Sequence, residues 1–257
     1  MIPALREEFN RKYSPEKYRQ FLDALDKGCG THVCFRVSET PCFLPRALLD
    51  QMAVYGRELV TQLVDNPQYL QTSDASIPPR YKVPNESKRP IFLQVDFGLV
   101  RNGSGVLEPK LVELQAFPSV YGYQPLSAQQ YVDSYGLAAN LGIYLGGYDR
   151  DSYWKLLRDV IVAGHEPENI ILLEIDPDNQ KTRPDFLVTQ RELGIAIVDI
   201  RSLIKRGRKL FYRQGNREIE VQRIYNRCIV DELERREVML PFDLRDDLDI
   251  EWAGHPN

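Results

Sequence analysis

"NIILLEIDPDNQKTRPDFLVTQRELGIAIVDI", residues 169–200, is the stretch that decides the fold. Its first apolar run does not alternate with polar residues, which is the pattern of a strand covered on both faces. A polar turn follows, then "TRPDFLVTQRELG", a helical pattern closed by Gly194. "IAIVDI" is a second apolar strand. Strand, helix and strand within about 30 residues make a βαβ unit with parallel strands, so the fold class is α/β. Ligands of open α/β sheets bind at the carboxyl ends of the strands. That edge carries Glu174, Asp176, Asn179, Gln180, Lys181 and Thr182. Lys181 is a candidate charge partner for a substrate; Thr182 or Asp178 serves equally well as cap of the next helix.

Downstream, "KLFYRQGNREIEV" (209–221) reads as a β-hairpin around Gly215-Asn216. "QRIYNRCIVDEL" (222–233) reads as a strand running into a helix. Arg227 at the strand's end suits a bidentate grip on a carboxylate, or an ion pair with Asp231 or Glu232. "KRGRK" (205–209) reads as a solvated turn rather than a nucleic-acid patch, because the chain is acidic overall and few aromatics interleave.

Upstream, Ser14 and Pro15 open a helix in "SPEKYRQFLDALDKGCG", with Gly28 or Gly30 as its stop. Amphipathic spacing predicts a second helix over about 45–64. Residues 65–90 are polar and proline-rich and read as a long loop or lid. Further helices are expected in "PLSAQQYVDSYGLAANLG" (125–142) and "RDSYWKLLRDVIVAG" (150–164). The expected organisation is a helical lobe with a β-hairpin over residues 1–148, then a small doubly wound lobe over 149–257.

The chain has 257 residues and a formal net charge of −4, so no polyanion partner is indicated. No apolar run approaches the about 18 residues of a membrane span, and the charged start is unlike a signal peptide. Four cysteines make a disulfide framework improbable and a reducing cytoplasm the default. Cys29, His32, Cys34 and Cys42 cluster, but their spacing departs from paired zinc ligands; buried free thiols are the better reading. His165 and His255 lack partners at motif spacing, and there is no nucleophile elbow.

The hairpin "VDFGLVRNGSGVLEPKLVELQAFPSVYGY" (95–123) holds the candidate chemistry. Strict alternation puts Gln94, Asp96 and Gly98 on one face of its first arm. On the second arm it puts Leu111, Glu113 and Gln115 on one face, with Val112 and Leu114 on the other. A turn centred on Ser104-Gly105 sets Asp96 opposite Glu113. Like charges so placed are destabilising. Solvation, a shared proton, a nearby Lys110 or Arg101, or a bound cation would relieve them. Mg²⁺ takes such oxygen ligands, and the Gln115 amide would be a third.

These residues carry a resemblance. An Asp in a "VDF" strand, a glycine turn, then Glu-x-Gln followed by Pro118 and Ser119 resembles the metal-binding segment of ATP-grasp enzymes such as D-alanine–D-alanine ligase, where Asn stands in place of Gln115. The segment's early position resembles the circularly permuted ATP-grasp group, which includes glutathionylspermidine synthetase-like proteins. The resemblance implies an ATP-dependent carboxylate–amine ligase working through an acyl phosphate. Its cofactors would be ATP and Mg²⁺, the latter held by Asp96, Glu113 and Gln115. Ser119, Tyr121, Tyr123, Lys181 and Arg227 would face the carboxylate and amine substrates. It also implies that the phosphate-binding Lys strand and glycine-rich flap follow this portion. The chain is therefore expected to be the front part of such a scaffold, inactive alone, with its ATP-binding half elsewhere. The alternative is a non-catalytic module that binds a small molecule or protein.

Overall fold

The computed structural model describes residues 2–84, 89–138 and 140–254. The βαβ unit forms as its apolar pattern requires. β3 (Ile170–Glu174) is buried along its whole length and pairs in parallel with β4 (Ala196–Asp199). Between them runs α7 (Arg183–Leu193), stopped by Gly194 in the left-handed region at φ 77°. β8 (Arg223–Asn226) lies in parallel on the other side of β3, and β9 (Glu251–Ala253) lies beyond it. The sheet order is β4-β3-β8-β9.

One face of this sheet, with Ile170, Leu172 and Tyr225, packs on Phe186 and Leu193 of α7 and on Leu157 and Ile161 of α6 (Arg150–Ile161). The opposite face, with Ile171, Leu173 and Ile224, is covered by a three-stranded antiparallel sheet. That sheet is β5 (Ile204–Arg206), β6 (Lys209–Gln214) and β7 (Arg217–Val221). Leu233 of α8 (Val230–Arg235) joins it. The chain thus leaves β3 across one face and returns to β8 across the other. The carboxyl ends of β3 and β8 are therefore the topological switch point, where a crevice opens in sheets of this kind. The bases of "KRGRK" are spent locally: Lys205 pairs with Asp246, Arg206 with Glu218, Arg208 with Asp247 and Asp249, and Lys209 with Glu220.

The N-terminal half begins with a helix that composition did not suggest, α1 (Pro3–Lys12), whose Phe9 packs on Phe43 and Tyr135. α2 (Pro15–Cys29) starts as expected, the Ser14 hydroxyl accepting from the Lys17 amide at 3.1 Å. α3 (Arg46–Val64) also falls where the pattern placed it, whereas α5 (Tyr123–Tyr135) stops at Gly136, in the left-handed region at φ 57°, short of the expected end at 142. The loop expected over 65–90 is corrected in part. Asn66 caps α4 (Pro67–Ser76), accepting from the Tyr69 amide, and Pro67 sits in its first turn, where proline costs no hydrogen bond. Val188 of α7 packs among the α2 and α5 side chains, and Arg191 donates to the Gly28 carbonyl at 2.8 Å. One helix is thus shared by the sheet and the helical half. Among the described residues no helix is long and apolar enough to cross a membrane.

Candidate functional site

β1 (Gln94–Arg101) and β2 (Leu107–Gln115) form the antiparallel ribbon, with Asp96 opposite Glu113 and Gln94 opposite Gln115. The turn is stitched by Asn102, whose side-chain oxygen accepts from the amides of Ser104 and Val106, both at 3.0 Å. Gly105 takes the positive φ of 81° that the turn needs. The ribbon departs from strict alternation at one point. The register shifts between Asp96 and Phe97, so that Phe97 faces Leu111 and Val112 is extra. Leu111 therefore shares a face with Val95, Phe97 and Leu114, not with Glu113. Val112 turns out over Gly98 and is 67% exposed. A bulge adds one residue to one strand and re-aims its neighbours. Here it compensates a turn centred on Ser104 rather than between Ser104 and Gly105, and Asp96 still meets Glu113.

Asp96, Glu113 and Gln115 are all exposed on this face. Neither nearby base neutralises the pair: Lys110 pairs with Glu108, and Arg101 donates to the Gly105 carbonyl. The Gln115 amide nitrogen donates to Glu113 at 2.6 Å, and its oxygen accepts from Gln94 at 3.2 Å. Gln94 also donates to the Phe117 carbonyl at 3.1 Å, fixing the strand's exit. The donor set suits a small hard cation in part. Asp96 and Glu113 stand directly opposite each other in register, and Gln115 follows two residues on, opposite Gln94. Among the described residues no group of three or more His, Cys, Asp or Glu is arranged to hold a metal.

Past Gln115 the chain crosses the switch point of the parallel sheet. Arg227, one residue beyond β8, is 6% exposed and donates from Nη1 to the carbonyls of Pro118 and Ser119, the latter at 2.7 Å. Its guanidinium lies between the rings of Phe117 and Phe186, 5.6 and 5.5 Å from their centroids. It makes no ion pair with Asp231 or Glu232; Glu232 instead pairs with Arg236 at 2.8 Å. Asp185, on the first turn of α7 and 1% exposed, accepts from the amides of Gly122 and Tyr123 at 2.8 and 3.0 Å. Burial pushes its pKa up, while Arg227 and the two amides pull it down. The segment 117–123 is thus gripped at both ends by buried charges of the α/β half. Sequence reasoning missed Asp185, because an acid in a first helical turn is ordinary. Glu174 was on the candidate edge, but its burial was not legible. Desolvation raises its pKa to about 7.

The other candidates are more dispersed. Tyr121 packs on Phe92, and its carbonyl accepts from the Tyr153 hydroxyl at 2.9 Å. Tyr123 points into the helical half, edge-on to Phe35. Lys181 is exposed on the loop after β3. Asp176, Asn179 and Gln180 there bond mostly within the turn: Asn179 donates to Asp176 at 2.9 Å and Gln180 to the Ile175 carbonyl at 2.8 Å. Thr182 stands at the cap position of α7 but makes no side-chain capping bond. Of the clustered cysteines only Cys29 is buried; Cys34 and Cys42 are exposed, and His32 bonds to Asp26 at 2.6 Å. His165 meets Glu251 at 3.2 Å, and His255 lies outside the described residues.

No family model matches the chain, and no curated protein matches it. Among solved structures it matches the apo form of a glutathione synthetase-like effector from Globodera pallida, with a TM-score of 0.55 and 15% identity. The match covers 95% of this chain and 62% of that one, so the chain spans less than two thirds of that protein's length. The likeness is one of fold: an α/β chain with the architecture of a glutathione synthetase-like protein.

Proposed function

We propose that the chain is the metal- and substrate-binding portion of an ATP-dependent carboxylate–amine ligase of the permuted ATP-grasp kind. The observation that carries this reading is the Asp96–Glu113 pair, two like charges directly opposed and left without a basic partner among the described residues. The fold shared with a glutathione synthetase-like protein supports it. Asp96 and Glu113 would hold Mg²⁺, with Gln115 as third ligand. Bound there, Mg²⁺ would neutralise phosphate charge on a nucleotide. Arg227 and Asp185 would position Ser119 and its neighbours relative to that face by fixing the backbone of 117–123. The ATP-binding half of the scaffold is expected from residues beyond this portion or from another chain.

A second reading, a non-catalytic binding module on the same scaffold, is favoured by one detail. Gln115 presents its amide nitrogen, not its oxygen, to Glu113. Calorimetric titration of Mg²⁺–ATP into wild type and Asp96→Asn separates the two. The ligase reading expects binding that the substitution weakens; identical isotherms would remove the ligand assignment.

A further inference from the structure

A groove of about 910 Å³ opens in the helical half. Its sides are the extended segment before α3, one face of α5, and the loop after α5. Phe35, Val37, Tyr123, Tyr131, Leu141 and Ile143 give it an apolar and aromatic lining. Two tyrosines hold the extended wall in place: Tyr18 donates to the Val37 carbonyl at 2.6 Å, and Tyr131 to that of Ser38. Ser127 and Thr40 add hydroxyls, and Arg36 and Arg46 stand in the lining. No Asp or Glu lines the groove among the described residues, although the chain as a whole is acidic. Arg46 bonds to Asp50 through Nε at 2.8 Å, and Arg36 reaches Glu39 only at 3.8 Å with its side chain 90% exposed. Exposed pairs of this kind are weak and readily exchanged for another carboxylate. Asp96, Glu113, Gln115 and Ser119 take no part in the groove.

We propose that this groove binds a small organic carboxylate with an extended apolar body. The volume lies within the range of small-molecule sites, which are mostly apolar with a few orienting polar groups. The apolar tail would lie against the tyrosines of α5, and the carboxylate would meet the guanidinium groups of Arg36 and Arg46. The proposal does not depend on the ligase reading.

Cys42 lines the groove and is exposed; Cys34 is exposed outside it, and Cys29 and Cys228 are buried. In a Cys34→Ser protein, the rate of maleimide addition to Cys42 therefore reports occupancy. The probes are decanoate, decanol and decyltrimethylammonium below their aggregation limits. Decanoate is expected to protect Cys42 at about tenfold lower concentration than decanol, from charge-assisted bonds, and the cation is expected to protect least. Arg36→Gln with Arg46→Gln, both at exposed positions, should bring decanoate to the level of decanol. Ser127→Trp, filling the groove, should abolish protection while the far-ultraviolet circular dichroism is unchanged. Equal protection by all three probes, none by decanoate, or a decanoate advantage that survives loss of both arginines would overturn the proposal.

Discussion

Arg227 and Asp185 are both buried and opposite in charge, yet they do not bond to each other. Each instead grips the backbone between β2 and α5. Arg227 takes the carbonyls of Pro118 and Ser119; Asp185 takes the amides of Gly122 and Tyr123. Among the described residues, Arg227 Nε and Asp185 Oδ2 are left without partners. Arg227→Met should therefore cost about 3 kcal/mol or more, since it strands Asp185 as an uncompensated buried charge. In a cycle with Asp185→Asn the two losses should fall short of additivity by about 1 kcal/mol. Urea unfolding of the four proteins measures this, and additive losses would show that the residues act separately.

Gly122 sits where any side chain would disturb that grip. A β-carbon there would stand 2.8 Å from Thr189 Oγ1 and 3.2 Å from Asp185 Oδ1. Gly122→Ala is expected to lower stability by about 1–3 kcal/mol, as overpacking does. An unchanged urea midpoint would mean that the α5–α7 contact accommodates a methyl group without strain.

Glu174 titrates near neutrality because burial penalises its charged form, with a pKa of about 7 against an ordinary 4.5. Its pKa is higher folded than unfolded. Its contribution to stability is therefore fullest below the unfolded pKa and is lost as pH rises through about 7. Glu174→Gln, permanently neutral, should resemble wild type at about pH 4 and exceed it at about pH 8 by about 3 kcal/mol. A difference that does not vary across this range would contradict the assignment.

Tyr135 is fully buried against Phe9 and Phe21, and its hydroxyl has no hydrogen-bond partner among the described residues. Removing an unsatisfied buried hydroxyl relieves its desolvation cost. Tyr135→Phe is expected to raise stability by about 1 kcal/mol; a clear fall in the thermal midpoint would argue for a bonding partner.

The sheet and the ribbon were legible because they rest on local patterns: unbroken apolar runs for β3 and β4, and a glycine turn between alternating arms. The bulge at Val112 was not. Alternation counts residues, and a bulge inserts one without a composition signal, so the shift of Leu111 to the other face could not be read. α4 was hidden by its own markers, since Asn66 and Pro67 signal a helix start as well as a loop. The grip of Arg227 on Ser119 spans 108 residues of chain and follows only from how the hairpin crosses the sheet. A short strand such as β9, three residues long, carries too little pattern to distinguish it from loop.

The central claim is that Asp96 and Glu113 form a divalent-cation site. Electron paramagnetic resonance of free Mn²⁺, titrated into wild type, Asp96→Asn, Glu113→Gln and Gln115→Leu, tests it most directly. The expected result is one bound ion in the wild type, loss of binding in either carboxylate variant, and weakened binding without Gln115. Free Mn²⁺ at the same level in all four samples would contradict it.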